Sequence, residues 1–250
     1  MKIKCIVFFV AVYLLSLIWT LPASMIQPFL AQNGPVKIQA FSGTIWQGSA
    51  KNISYQNNYQ LSNVQWSVNW RTLWTLALSL DVTFNNDAPR LQGKGELVAD
   101  MNTLHLNQFE VNLKAADVSS YIASPIPIEA QGKIRLMINT VAIASLSCQQ
   151  LDGYLVWRKA ALNSVMGNIN LANVEIDLSC VNQRLIAKVQ QVSTDLKTQL
   201  QAELQNNGSY QLRGTIKDGP TLPKNIQEGL SWLGPKGADG KIAFSYNGRL

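Results

Sequence analysis

The residues able to do chemistry are few and scattered. The single histidine, His105, stands in "NTLHLNQ", an alternating stretch that reads as a strand, and no motif supplies the nucleophile or orienting acid that a histidine base needs. Of three cysteines, Cys5 lies in an apolar N-terminal run, which leaves Cys148 and Cys180 as an even pair in the body of the chain. In an oxidising compartment these two join and close a loop worth about 3 to 4 kcal/mol; the alternative is a pair of buried free thiols. Two cysteines and one histidine lack a fourth zinc ligand at any finger-like spacing. Glu175 and Asp177 share a strand face without a third acidic partner, so they read as a solvated face rather than a cation site. "GPKGADGK" has Pro235 where a phosphate-binding loop carries glycine and Ile242 where it carries serine or threonine, which makes it a turn. These residues predict no enzyme, no cofactor and no metal.

The elements that carry them are strands. In "VQWSVNW" Val64, Trp66, Val68 and Trp70 face one way, and "LALSLDVTF" repeats the pattern with Leu76, Leu78, Leu80, Val82 and Phe84. The same period of two returns at Phe109 to Leu113, Ile134 to Ile138, Val174 to Cys180, Tyr210 to Ile216 and Ile242 to Tyr246, with "QNNYQ", "FNNDAPR" and "QNNGSY" as turns between them. The spacing of Trp66, Trp70 and Trp74 also suits a helix, but the alternating polar residues favour a strand. The expected fold is mainly β, a long curved antiparallel meander of about 12 to 16 strands, since so many strands do not stay flat. One or two short helices accompany it, after Lys114 and across "TLPKNIQEGLSWLGP", where Leu222, Ile226, Leu230 and Leu233 share a face. The second should cover an edge or face of the sheet. The apolar face with Trp66, Val68, Trp70, Leu78 and Leu80 has two readings, a core buried by an opposite layer or an open groove.

Lys2 and Lys4 precede "CIVFFVAVYLLSLIWTL", and no charge follows until Lys37. This predicts a cytoplasmic tip over 1–4, a transmembrane anchor over 5–27 and an exported β-rich domain over 31–250. A cleaved signal peptide is the alternative, although "LPASM" offers no clean small-x-small site. Only 14% of residues are charged, and the net charge of +6 is dispersed rather than gathered in a stripe, which argues against nucleic acid as a partner.

Glycine recurs between apolar residues in FSGTI, AQGKI, LDGYL, LRGTI and ADGKI, which predicts a sheet that bends at regular stations. "FSGTIWQGSA", read by chemistry alone, is a packing strand with a close turn at Gly48. Taken with the preceding anchor and the following "VQWSVNW", its "SGTIWQGSA" resembles the start of the type II secretion system protein N family. "LSCQQLDGYLVWRKAAL" resembles that family too, with Gly153 and Trp157 echoing Gly43 and Trp46.

The resemblance implies a bitopic inner-membrane accessory subunit of the machinery that moves folded proteins from the periplasm across the outer membrane. Its partners would be other secretion subunits, met through strand edges or polar faces. The "GTIWQG" strand is also similar to AsmA-like envelope proteins, which implies the alternative of a curved sheet with a groove for lipid.

Overall fold

The computed structural model describes residues 2–25, 34, 36–55, 59–75, 77–87, 90–100, 102–119, 127–144 and 147–249. An N-terminal helix, α1 (Lys2–Trp19), leads into strands β1 (Val36–Gly43), β2 (Gln47–Tyr55) and β3 (Tyr59–Asn69). A 3₁₀ helix (Trp70–Thr75) precedes β4 (Leu78–Asn86), β5 (Leu91–Ala99) and β6 (Leu104–Lys114). After α2 (Ala115–Ser119) come the long strands β7 (Ile128–Ala144), β8 (Ser147–Ser164) and β9 (Gly167–Val181). The shorter β10 (Arg184–Val192), β11 (Leu196–Leu204) and β12 (Ser209–Asp218) follow, then α3 (Lys224–Ser231) and β13 (Ile242–Arg249).

Among the described residues the thirteen strands form one sheet in strict sequence order, every neighbour antiparallel, with β1 and β13 at its edges. The expected meander is therefore present, and the one or two short helices expected beside it are found as α2 and α3. Antiparallel neighbours in sequence order give the sheet two ends. One carries α1, the β1–β2 turn and the 3₁₀ helix; the other carries α2, the β8–β9 turn and α3.

Two sequence expectations change. The helix stops at Trp19, short of the expected residue 27; Ile45 N–H donates to Leu21 O at 3.0 Å and Pro22 bridges Thr44, so the chain has already joined the sheet. Residues 26 and 27 lie outside the described residues. No helix among the described residues is long and apolar enough to cross a membrane. Trp70 also leaves the strand: β3 ends at Asn69, whose carboxamide oxygen accepts Arg71 N–H and whose main-chain oxygen accepts the Thr72 hydroxyl. These local bonds turn the backbone into a 3₁₀ helix before the alternation can continue.

The glycine stations do not recur as one device. Gly43 and Gly240 serve turns at positive φ, Gly132 sits at a break in the β7–β8 register, and Gly153 opposes another. Mid-strand residues at positive φ also include Ala40, Asn63, Gln108, Lys159 and Ala172. Lys159 and Ala172 lie at register shifts between β8 and β9, whereas Ala40, Asn63 and Gln108 interrupt the β1–β2, β2–β3 and β6–β7 pairing without shifting it, so the irregularities of the sheet are not announced by glycine.

The core is built by the sheet on itself. Val64, Phe84 and Val111 form one cluster, and Ala160, Leu171 and Val174 another. Aromatic rings lie over glycines directly opposite on the next strand, as in Phe84 over Gly93 and Trp66 over Gly48; an added Cβ at Gly48 would come within 2.6 Å of the Trp66 ring. A single sheet covers its backbone this way where no facing layer supplies side chains.

Candidate functional site

The period-two alternation sorts side chains onto two faces, and register carries each set across the sheet. Beginning at Phe84, the directly opposed residues are Gly93, Val111, Leu136, Leu155, Ile176, Val189, Leu200, Gly214 and Phe244, an apolar row from β4 to β13. Phe41, Ala50 and Val64 extend the same kind of row through β1, β2 and β3. One residue along, Lys94, Glu110, Met137, Tyr154, Asp177, Lys188, Gln201 and Arg213 make a row that is mostly polar. Arg135 pairs with Glu110 at 2.6 Å on that side, and hydrogen bonds from Asn112 and then Arg135 hold the Glu110 carboxyl below the usual range.

The apolar face is a trough rather than a sealed core. No second sheet packs on it among the described residues, and α2 and α3 lie at one end. Val64, Phe84 and Val111 are buried, whereas Leu136, Leu155, Ile176, Val189, Leu200 and Phe244 are half-buried. The far end of the trough widens into a pocket of about 800 Å³, with Val118, Ile128, Ile134, Trp157 and Leu162 among its walls. Residues 120–126, which follow one wall in the chain, lie outside the described residues.

Of the five residues assigned to this face from sequence, Trp66, Val68 and Leu80 share it: Trp66 opposes Val82 and Val68 opposes Leu80. They are half-buried, and Leu78, at the start of β4, is 44% exposed. Trp70 belongs instead to a cluster of indoles where α1 meets the sheet. Its ring stacks on Trp19, with centroids 4.6 Å apart and planes at 13°, and lies 4.2 Å from that of Trp46. Trp46 Nε1 donates to Ile18 O at 2.8 Å, giving a shorter bond to a helix-terminal carbonyl that also accepts Leu21 N–H at 3.4 Å.

The glycines and tryptophans of the quoted motifs serve different structures. Gly43, at φ +84°, makes the β1–β2 turn, and Gly48 leaves room for Trp66, whose Nε1 donates to Ile45 O at 3.2 Å. Gly153 and Trp157 lie within β8, where Trp157 Nε1 donates to Gln131 O at 2.8 Å. The apparent echo of Gly43 and Trp46 by Gly153 and Trp157 is therefore not a structural repeat. Cys148 and Cys180, at the start of β8 and near the end of β9, form a disulfide with Cα atoms 6.0 Å apart. Glu175 and Asp177 share a face of β9 and oppose Gln190 and Lys188.

Sequence reasoning missed a polar knot at the other end. Asp195 is buried; it accepts the Asn170 N–H at 2.7 Å and the Thr221 hydroxyl, while its main-chain oxygen accepts Gly219 N–H at 2.8 Å. The Thr221 and Asn170 bonds hold its carboxyl below the ordinary range. Nearby, buried Gln191 donates from Nε2 toward Leu171 O, Ser193 Oγ and Leu196 O. The available signal was weak: "VSTDLKTQL" looks like an ordinary turn.

His105 lies 3.7 Å from Asp100 near the β5–β6 turn. No group of three His, Cys, Asp or Glu residues stands close enough to hold a metal among the described residues. The arrangement offers binding surfaces: an apolar trough, a polar face and the edge strand β13.

Comparison with known proteins identifies the family. Residues 34–245 match the family model described as "Type II secretion system (T2SS), protein N". The chain is 28% identical over 252 residues to the "Type II secretion system protein N" of Aeromonas hydrophila, covering 100% of this chain and 99% of that one. It is 26% identical over 243 residues to the protein of the same name from Vibrio cholerae serotype O1, covering 97% and 96%. The Pectobacterium carotovorum protein of that name is 25% identical over 229 residues, covering 92% and 90%. No solved structure matches the chain. The chain belongs to the type II secretion system protein N family.

Proposed function

We propose that this protein is a non-enzymatic accessory subunit of the type II secretion system, anchored in the inner membrane by α1, with a cytoplasmic N-terminus and a periplasmic sheet. Every described side chain of α1 is exposed, including Phe8, Phe9, Tyr13 and Leu14, and a helix apolar all round needs a solvent other than water. Its 18 residues rise about 27 Å, a few ångströms less than a hydrocarbon core of roughly 30 Å. Local thinning of the bilayer absorbs such a mismatch. The disulfide is consistent with an oxidising compartment.

The observation that carries an assembly role is the open edge. Apart from Lys236 at its first residue, β13 pairs only with β12 among the described residues, leaving backbone groups from Ala243 to Arg249 available to a strand from another secretion subunit. A photoreactive amino acid at Ser245 or Asn247 of the full chain in secreting cells should yield adducts with other secretion subunits. Absence of protein adducts there would overturn edge-mediated assembly. A periplasm-specific reporter after Leu250 should be active, and the mature protein should retain its N-terminus; a mature start near Ser24 would remove the anchor.

The apolar trough favours a second reading, an envelope protein that holds lipid. An acyl chain would lie along Val68, Leu80 and Leu97, which are opposed across β3, β4 and β5. A photoreactive phospholipid that labels this face would support it, and Val68→Asp should abolish that labelling in a folded protein.

A further inference from the structure

The tryptophans at the α1 junction are placed for a purpose beyond joining a helix to a sheet. Four of the seven in the chain, Trp19, Trp46, Trp70 and Trp74, lie on α1, in the β1–β2 turn and on the 3₁₀ helix. Three of them cluster, Trp19 stacked on Trp70 and Trp46 tilted against it, and the junction is bolted by the Trp46–Ile18 and Ile45–Leu21 hydrogen bonds. The fourth, Trp74, is 92% exposed, and Arg71 on the same short helix is exposed as well.

A fully exposed indole is poorly placed in water, since its large apolar body wants burial while its N–H wants a polar partner. The headgroup region of a bilayer offers both, which is why indoles collect there and why arginine beside them can reach lipid phosphates. We propose that the 3₁₀ helix is an interfacial foot: Trp74 and Arg71 sit among the lipid headgroups of the leaflet from which α1 emerges. The stacked indoles above it fix the direction in which the strands leave the membrane. This rests on α1 being the membrane anchor, because only then does the C-terminal end of α1 bring the 3₁₀ helix to a lipid surface. Trp232 provides the contrast within the molecule. It is 91% exposed but caps α3, at the opposite end of the sheet, and should meet only water.

The test uses the full chain in phosphatidylcholine and phosphatidylglycerol vesicles, with phospholipid brominated near the headgroup end of its acyl chains as one quencher and aqueous iodide as the other. Neither Trp74→Phe nor Trp232→Phe should disturb the fold, since both side chains are almost fully exposed. Trp74→Phe should lower the emission quenched by brominated lipid and leave the iodide-quenched emission unchanged; Trp232→Phe should do the reverse. Loss of iodide-quenched emission in Trp74→Phe, in protein that floats with the vesicles, would overturn the foot while leaving the anchor intact. Failure of the unaltered chain to float would overturn the anchor, and the foot with it.

Discussion

At one end of the sheet a helix is fastened by indoles, and at the other by a buried carboxylate. The α1 junction relies on Trp19 stacked on Trp70, on Trp46 tilted against Trp70, and on hydrogen bonds to main-chain carbonyls of α1 and Leu21. The loop leading to α3 is held by Asp195 through Asn170, Thr221 and Gly219, with Leu222 buried and Ile226 half-buried beside the β8–β9 turn. Only part of the α3 face expected from sequence is covered, because Leu233 is 47% exposed. The contrast teaches that, with α1 in the membrane as proposed, each fastening would suit its solvent. Indoles hold well where lipid and headgroup meet, whereas a carboxylate with several donors holds well next to water and depends on its charge.

The largest expected effect tests whether a covalent tie across β8 and β9 matters to either junction. Cys148→Ser with Cys180→Ser should lower the unfolding free energy by about 3 to 4 kcal/mol in denaturant titration. The near-ultraviolet signal of the stacked indoles should survive in the folded protein, since the bridge lies at β8 and β9. Asp195→Ala should cost about 2 kcal/mol through loss of hydrogen bonds to a charged group. It should raise amide exchange across residues 219–231 while leaving the β1–β2 turn protected.

Acid should separate the junctions without mutation. The Asp195 carboxyl is lowered by the Thr221 hydroxyl and then the Asn170 N–H, and that of Asp218 is lowered first by its hydrogen bond from Lys236. A carboxyl whose folded pKa is depressed contributes stability that is fully present above its unfolded value, near 3.9, and is lost as pH falls through the folded value. Amide protection around α3, taken relative to the intrinsic exchange rate at each pH, should therefore fall as pH drops below about 4, while the indole signal persists because indoles do not titrate there. Equal loss of both signals over that range would remove the contrast. The smallest effect is expected from Trp46→Phe, which keeps a ring in the cluster but loses the bond to Ile18 O, at about 1 kcal/mol. Hydrogen exchange in vesicles should show it as earlier opening of the β1–β2 turn alone.

Much of this molecule follows from the sequence by itself. Alternation at Val64, Trp66 and Val68 or at Ile134, Leu136 and Ile138 specifies strands with one wet face, because side chains on a pleated backbone must alternate. Asn- and Gly-rich breaks specify the meander, and Cys148 and Cys180, the two cysteines outside the N-terminal apolar run, specify the candidate bridge. Tertiary structure alone decided what depends on register and on contacts distant in sequence. Trp70 looked like the next residue of a strand until Asn69 bonds turned the chain, and its partners, Trp19 and Trp46, are distant in sequence. Phe84 covers Gly93 only because pairing sets them opposite each other, and Asp195 is buried only because Asn170 and Thr221 converge on it. Local pattern fixes which way a side chain points relative to its own strand; which group it meets is settled by the pairing of strands far apart in the chain.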